Sequence, residues 1–364
     1  MRHRSSSRRG RRALLLTCGL AVAAPLVAQE QGATPSAAET PSVAESIGRE
    51  VQGIFERCRR AIVRIEAADL HGRLSGSGFF VDPSGTIYTS YSVGGESHDI
   101  VVCHGDMKYP ARRVVADPRS GIAILKVDAE TPFLVLGKSR ELGLASPVLA
   151  IGYPMDLPLT PSFGTVGGFD IRYQQSYFAT RHIRASVPVQ RGEGGAPLLN
   201  MRGEAVGILI ASLDGGSGSF ALPIEAAEKV RKDFLRFGEV RPGWLGIEIE
   251  PAAAPVAGST ARVNDLMDNS PGQKAGLRKG DVLLRVGADL VQSPEDVRNA
   301  AFFLTADDEL TVQISRDGEP LELKLHPADH PGSPRTARGG DAHIPSPEFA
   351  PLLPGGALPL GSER

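Results

Sequence analysis

The sequence has little cysteine, few aromatic residues and no excess of charge of either sign. Its 364 residues include three Cys and one Trp, and 40 basic side chains stand against 42 acidic ones. This balance gives no sign of the basic surface that nucleic-acid-binding proteins carry. No spacing of His and Cys matches a metal site, so we expect neither a metal nor another cofactor. The absence of an internal repeat excludes a repeat architecture.

Residues 1–28 have the composition of a secretory signal peptide. Six arginines lie near the start, and an apolar stretch that ends in small residues follows. This order predicts export to the periplasm or cell envelope, by the general or the twin-arginine route. A membrane anchor and a lipid on Cys18 are alternatives, although the apolar run is shorter than the ~20 residues that span a bilayer. Cleavage removes six arginines and no acid, which changes the formal net charge from −2 to −8.

Two cysteines, Cys58 and Cys103, remain beyond the signal peptide. In an oxidising compartment they can form a disulfide. Two separate buried thiols are an equally good interpretation, because free cysteine packs as a small apolar residue. The sequence leaves both open.

The rest of the chain divides by composition. A linker rich in Ala, Thr and Pro covers residues 29–44, and short β-branched runs between turn residues fill a domain at 45–238. Many short strands at such spacing are typical of a β-sandwich or barrel. A smaller unit at 241–328 mixes strands with a helix that has Ser293 at its N-cap and proline next. A Pro- and Gly-rich tail at 329–364 is expected to be disordered.

Several motifs follow one another in an order that resembles the HtrA/DegP family of serine proteases. In the first domain they are GSGFFVDPSGTIYT at 76–89, DPRSGIAILK at 117–126, VLAIGYP at 148–154, GTVG at 164–167 and GEGGAPLLN at 192–200. In the second unit GWLGI at 243–247, NSP at 269–271 and KAGLRKGDV at 274–282 resemble the family's PDZ domain. The resemblance runs from about residue 48 to residue 327.

The resemblance implies a mostly β fold. A trypsin-like double six-stranded β-barrel would be followed by a smaller α+β PDZ domain. It also implies descent from serine endopeptidases of protein quality control, and assembly into trimers through the barrel domain.

The positions that match the family's catalytic triad hold the wrong residues for catalysis. Ser92 stands where the family has the histidine base, Gly121 where it has the aspartate and Gly194 where it has the nucleophilic serine. Glycine has no group that attacks or orients, and a serine hydroxyl does not act as a general base near neutral pH. Loss of the triad lowers turnover by about 10⁴- to 10⁶-fold, so we expect no catalytic residue.

Other side chains are candidates to replace the triad. His98 is the histidine nearest to Ser92, and Ser186 precedes Gly194 on the strand that enters the loop. We interpret His98 as a solvated surface residue and Ser186 as a structural hydroxyl. Three further histidines, His71, His104 and His182, are also candidates.

The glycine-rich loop keeps one feature of an oxyanion hole. The N–H groups of Gly192 and Gly194, in a loop that includes Glu193 and Gly195, can form a small nest for an anion. The acidic side chain of Glu193 disfavours an anion there. A glycine-rich turn retained for its conformation is the alternative.

The second unit resembles a PDZ peptide-binding groove. The loop of Trp244, Leu245, Gly246 and Ile247 corresponds to the carboxylate-binding loop, and the following strand offers an edge to a peptide. The facing helix carries the candidate pocket residues Val297, Ala300 and Ala301. Alternatively, the groove packs on the barrel or the tail and binds nothing, and Trp244 is as well placed to contact the barrel as a ligand.

The residues and the resemblance together predict a catalytically inactive HtrA-like protein. It would bind unfolded or C-terminal peptide segments in the cell envelope, as a chaperone, an adaptor or a regulatory partner. Homotrimers and hetero-oligomers with active proteases are expected assemblies, and nucleic acid is not an expected partner. An active endopeptidase with a non-standard nucleophile and a structural oligomer component are the two alternative hypotheses.

Overall fold

The computed structural model describes residues 42–331 apart from 156 and 175. The predicted signal peptide, nearly all of the predicted linker and most of the predicted tail lie outside the described residues. The predicted fold class is confirmed, because the described chain is mostly β and contains a curled sheet, a closed barrel and a smaller α+β unit. Within the described ranges, no helix has the length and apolar character needed to cross a membrane.

Helix α1 (Val43–Cys58) precedes the first sheet and ends in a short 3-10 turn (Arg59–Ala61). Its C-terminal half is anchored because Ile54 is fully buried, in one hydrophobic core with Phe79 and Leu199. Its N-terminal half is exposed, including the apolar Val43.

Seven strands form the first sheet, in the order β5-β4-β1-β2-β3-β7-β6. All pairs are antiparallel. The bounds are β1 (Ile62–Asp69), β2 (Gly72–Phe80), β3 (Thr86–Ser90), β4 (His98–His104), β5 (Met107–Pro110), β6 (Arg112–Asp117) and β7 (Ile122–Lys126), with the one-turn helix α2 (Tyr91–Gly94) between β3 and β4.

The sheet has seven strands where six were predicted, and a break at Ala111 explains the difference. β5 and β6 are consecutive in the chain but lie at opposite edges of the sheet. Between them the Ala111 N–H donates to Ile100 O of β4 at 2.9 Å, the last bond to β4 before the segment moves to β7. One bent segment therefore pairs with β4 at its start and with β7 at its end, which curls the sheet towards a six-stranded barrel.

The second barrel is closed, in the order β10-β13-β12-β11-β8-β9. Closure removes the unpaired edges that an open sheet would expose. Its strands are β8 (Pro147–Gly152), β9 (Thr160–Tyr173), β10 (Ser176–Ala185), β11 (Pro197–Leu199), β12 (Ala205–Leu213) and β13 (Gly218–Pro223).

A third sheet forms the C-terminal unit, in the order β14-β15-β16-β18-β19, with β17 paired to β16. Helix α3 (Ile224–Phe237) connects it to the second barrel. The other bounds are β14 (Ile247–Val256), β15 (Ser259–Leu266), α4 (Pro271–Lys274), β16 (Val282–Val286), β17 (Asp289–Leu290), α5 (Pro294–Phe302), β18 (Leu310–Arg316) and β19 (Glu319–Leu325). α5 starts with the predicted Ser293 N-cap, in a full capping box with Asp296.

Helix α5 is held against strand β10 of the second barrel by polar contacts. The Asn299 Oδ1 accepts hydrogen bonds from Thr180 Oγ1 at 2.7 Å and from Arg181 N at 2.9 Å. Arg181 also forms an ion pair with Asp296 at 2.5 Å. At the end of α5, Phe302 joins the core shared by the two barrel sheets. The C-terminal unit is therefore packed on the barrel through its main helix.

The two cysteines are separate buried thiols in this structure. Burial raises the pKa of Cys58 and of Cys103. The Cys58 Sγ lies 3.5 Å from Gly203 O, beside the end of α1. The interpretation as two separate thiols agrees with this arrangement.

His182 is buried in the second barrel and makes the stability of the fold depend on pH. Its Nδ1 lies 2.7 Å from Thr180 O, its ring stacks on Phe178, and its Nε2 has no hydrogen-bond partner among the described residues. Burial lowers the pKa of His182 to about 4. The unfolded chain takes up this proton near pH 6.5, while the folded chain resists until about pH 4, so stability falls as the pH drops through that window.

We predict that His182→Leu removes part of this pH dependence. Between pH 7 and about pH 4.5 the wild type should lose about 2 kcal/mol more of its free energy of unfolding than the variant, because only the wild type has the titrating imidazole. Urea unfolding followed by circular dichroism at both pH values measures the difference. An equal loss in the two proteins would show that His182 is not the group responsible.

Candidate functional site

The candidate site lies where the loop of residues 190–196 meets the first sheet. Ser77 of β2 holds this loop with both its backbone and its side chain. Its N–H donates to Gly194 O at 2.9 Å, and its Oγ donates to Gly192 O at 2.9 Å. The same Oγ accepts from Tyr153 N at 2.9 Å, which ties the end of β8 to the loop. Ser77 is fully buried, so these bonds are shielded from water.

Two glycines of the loop are required by its conformation. Gly192 has φ +94° and Gly195 has φ +89°, a region that L-residues rarely adopt. A Cβ on Gly192 would lie 2.5 Å from Met155 N, and one on Gly195 would collide with Ser77 O. The conformational role proposed for the glycine-rich turn therefore has a direct steric basis, whether or not an anion binds.

Gly194 and Ser92 are neighbours in space, although 102 positions separate them in the sequence. A Cβ placed on Gly194 would lie 3.8 Å from Ser92 Oγ and 3.3 Å from Ser90 Oγ. The two serine hydroxyls lie 2.9 Å apart and share a hydrogen bond. Ser92 is exposed at the start of α2, while Ser90 is buried at the end of β3. Hydroxyls thus occupy the space beside Gly194.

Gly121 adjoins the same site from the turn between β6 and β7. Its carbonyl accepts a hydrogen bond from Tyr91 N at 2.6 Å, next to Ser92. Its φ is +80°, so a side chain here would be strained. A Cβ on Gly121 would face the apolar side chain of Ile210, with Cδ1 at 3.6 Å. The structure therefore brings Ser92, Gly121 and Gly194 together, with an apolar residue beside Gly121.

Glu193 turns its carboxyl group away from solvent. The side chain is 3% exposed and accepts a hydrogen bond from Gln190 N at 2.7 Å. Burial raises the pKa of this carboxyl above its usual value. The N–H groups of Gly192 and Gly194 donate no hydrogen bond to another residue of the described chain. The carboxyl thus stabilises the loop from within.

The other candidate acids, bases and nucleophiles have partners elsewhere. His98 is exposed, with Nε2 3.7 Å from Asp99, and His182 is the buried barrel residue described above. The His104 Nε2 lies 2.6 Å from Arg60 O, and His71 is exposed in the turn between β1 and β2. Ser186 Oγ is exposed and accepts from Thr165 N at 2.9 Å.

The candidate carboxylate-binding loop has the backbone conformation that its glycine allows. Gly246 has φ +68°, and a Cβ there would collide with Ser270. Leu245 is buried, and its carbonyl accepts from Gly272 N at 2.9 Å. The N–H groups of Leu245 and Gly246 donate to no other described residue. Two adjacent amides are therefore available to a carboxylate.

Trp244 packs on the chain segment that follows β19, at the junction with the predicted tail. Its N–H and carbonyl pair with Ala328 at 2.8 and 3.0 Å, and its ring meets the His330 ring edge-on with centroids 5.7 Å apart. The ring also lines a surface cavity of 210 Å³ with Gly246 and Ile247. Trp244 is thus placed at the rim of the loop.

The two walls of the candidate groove differ in how much surface they expose. β14 begins at Ile247 and lies at the edge of its sheet, paired only with β15. On the facing helix α5, Val297 and Ala300 are buried in the core of the unit, whereas Ala301 is half-buried. Of the three predicted pocket residues, Ala301 therefore offers the most surface to a ligand.

The sequence reasoning missed two residues that shape the first site. Ser77 was visible only as part of the GSGFF motif, and nothing in the motif indicates that its hydroxyl bridges two backbone segments. Ile210 follows a run of apolar residues in β12 and has no sequence signal of its own. Its contact with position 121 depends on the packing of β12 against the turn between β6 and β7, which are far apart in the sequence.

Comparisons with known proteins match both parts of the chain. A family model for a trypsin-like peptidase domain matches residues 76–208, and one for a PDZ domain matches residues 243–326. Among solved structures, the HtrA-type protease AlgW with a tripeptide is similar with a TM-score of 0.66 and 22% identity, over 78% of this chain and 98% of that one. The serine endoprotease from Yersinia pestis is similar with a TM-score of 0.58 and 23% identity, over 80% and 100%. These two similarities show the fold.

The similar curated proteins are larger than this chain. A probable periplasmic serine endoprotease DegP-like of Halomonas elongata is 31% identical over 288 residues, which are 76% of this chain and 60% of that protein. Proteins of the same description from Pseudomonas fluorescens and Chlamydia pneumoniae are 32% and 29% identical over 263 residues. Those matches cover 69% of this chain and 55% and 54% of the relatives. The chain thus spans little more than half the length of these relatives.

We predict that the loop tolerates a methyl group at Gly194 but not at Gly195. Gly195→Ala should cost about 2–3 kcal/mol of the free energy of unfolding, because its Cβ meets backbone in a left-handed conformation. Gly194→Ala is the matched control and should change stability by less than about 1 kcal/mol, since its Cβ meets no backbone and its nearest neighbour is the Ser90 hydroxyl at 3.3 Å. Urea unfolding of both variants measures this. Equal stability of the two would contradict the loop geometry.

Proposed function

Because the chain is an HtrA-type protein, with a trypsin-like domain followed by a PDZ domain, we propose that it is a non-catalytic member that binds peptide segments. Its ligands are unfolded chains or the C-terminal ends of proteins. In this role it acts as a chaperone, an adaptor or a regulatory partner in protein quality control.

The observation that carries the proposal is the composition of the barrel site. The residues that meet there are Ser92, Gly121 and Gly194, so these positions have no imidazole, no carboxylate and no hydroxyl at the nucleophile's place. General-base catalysis needs a group that titrates near the working pH, within hydrogen-bond reach of the attacking hydroxyl. Each of the three positions lacks its catalytic group, which supports a function other than hydrolysis.

The surroundings of Gly121 suit glycine better than a carboxylate. Its φ of +80° strains any side chain, and Ile210 presents methyl groups where a carboxylate would need hydrogen-bond donors. An ionised carboxyl in such a place would lose solvation without compensation. The backbone and its neighbours are thus consistent with glycine at this position.

Peptide binding is supported by the loop and the edge strand of the PDZ domain. The available Leu245 and Gly246 amides suit a terminal carboxylate, and the free edge of β14 suits an added strand. This combination is the usual way in which PDZ domains bind a C-terminal peptide.

A location in the cell envelope is part of the proposal. The predicted signal peptide at 1–28 and the periplasmic description of the relatives support it. An exposed apolar residue at the start of α1, Val43, offers contact surface for the trimers or hetero-oligomers that the family resemblance implies. Assembly with active proteases would place bound segments next to catalytic subunits.

The two alternatives differ in measurable ways. An endopeptidase with another nucleophile would react with a fluorophosphonate probe, and Ser186→Ala would remove the label if that residue were responsible. A purely structural subunit would bind no peptide.

We predict that the chain binds peptides with an apolar C-terminal residue through their free carboxylate. Amidation of the C-terminus should weaken binding by about 10-fold or more, because hydrogen bonds to a charged group contribute about 1.5–3 kcal/mol. Fluorescence anisotropy with a labelled peptide and its amide measures the ratio. Saturable binding with equal affinity for both forms would exclude carboxylate capture, and no binding of either would favour the structural alternative.

A further inference from the structure

The surface cavity beside Trp244 has an unusual combination of side chains. It has a volume of 210 Å³ and lies at the start of the edge strand β14. Besides the loop residues, it is lined by Glu248 of β14, Asp265 of β15 and the neighbouring Leu266 and Met267. Two exposed acidic residues and the tryptophan therefore line one small space.

The two acidic residues carry like charges at opposed positions of neighbouring strands. Glu248 and Asp265 are direct cross-strand partners, and neither forms an ion pair within the described part of the chain. Like charges directly opposite on neighbouring strands are destabilising. Two residues further along β14, Glu250 faces Arg262 of β15 and pairs with it at 2.5 Å. The repulsive pair is thus confined to the cavity.

A cationic side chain is the ligand that this cavity suits. A lysine ammonium or an arginine guanidinium would neutralise the repulsion between Glu248 and Asp265. The indole of Trp244 adds to this attraction, because tryptophan is the strongest aromatic partner for a cation. An acidic side chain would meet two like charges.

The position of the cavity relative to the loop indicates which peptide residue enters it. A carboxylate on the Leu245 and Gly246 amides places the last peptide residue beside Ile247, the first residue of β14. Side chains alternate between the two faces of a strand, so the penultimate residue lies beside Glu248, on the opposite face from Ile247. That face is the one on which Glu248 and Asp265 meet.

We propose that this cavity binds the side chain of a lysine or arginine at the penultimate position of a C-terminal peptide. The inference rests on the proposed function, because it names a class of peptide for the same groove. The groove then selects peptides with a basic residue followed by an apolar C-terminal residue.

Three peptides that differ only at the penultimate residue test this selection. They carry Lys, Gln or Glu there, before the same apolar C-terminal residue, and their dissociation constants are measured by fluorescence anisotropy at low and high salt. We expect the Lys peptide to bind about 10-fold more tightly than the Glu peptide, with the Gln peptide between them. Added salt should reduce the difference, because exposed charges are screened.

The double variant Glu248→Gln/Asp265→Asn identifies the residues responsible. It should abolish the preference for Lys while it retains binding of the Gln peptide. Because the variant removes a repulsive pair, its melting temperature should equal or exceed that of the wild type, which shows that it folds. Glu322→Gln is the matched control: this exposed residue lies on β19 at the opposite edge of the sheet, and its loss should leave the preference unchanged.

The outcomes separate the inference from the function on which it rests. Equal affinity for the three peptides, or a preference that persists in the double variant, would overturn the inference and leave peptide binding intact. Failure of all three peptides to bind would overturn both.

Discussion

The hydrogen bonds of Ser77 are the constraint on which the candidate barrel site depends. From β2 of the first sheet, this residue reaches Gly192 and Gly194 of the second barrel's loop, and it also accepts from Tyr153. Ser77 itself is fully buried, so losing these bonds would leave backbone groups unpaired at a cost of about 1–3 kcal/mol each. The glycines with positive φ follow from this close approach, because the loop leaves no room for side chains. The bonds of Ser77 thus hold the loop without using any side chain at positions 92, 121 and 194.

The conformation of the loop therefore does not depend on the side chains at these three positions. Catalytic groups are held by a scaffold but seldom support it, and glycine at positions 121 and 194 leaves the bonds of Ser77 intact. The packing of α5 on β10 adds a second link, since Asn299 and Asp296 bind Arg181 of the barrel. The PDZ groove is therefore built on a helix that the barrel holds in place. A peptide that enters the groove meets one wall fixed by these contacts and one free strand edge.

Much of the fold could be predicted from the sequence, because several motifs in one order define it and the Ser293 cap marks the start of α5. The break at Ala111 could not, since nothing in the local sequence shows that one segment serves both edges of a sheet. The three positions of the first site were identified from motifs, but the role of Ser77 and the methyl groups of Ile210 beside Gly121 depend on packing between distant segments. The opposition of Glu248 and Asp265 depends on strand register, and a single β-bulge changes such pairing.

The central claim is that the barrel site of this chain does not hydrolyse peptides. The most direct measurement is the turnover of casein and of a fluorogenic peptide by the purified mature chain. It should be made beside the Ser186→Ala/His98→Ala variant and beside a variant with the triad restored as Ser92→His, Gly121→Asp and Gly194→Ser. We expect no turnover above the buffer control from the wild type, and at most weak turnover from the restored protein, because Gly121 has a strained backbone and Ile210 offers no hydrogen bond. Sustained turnover by the wild type that survives repeated purification would contradict the account.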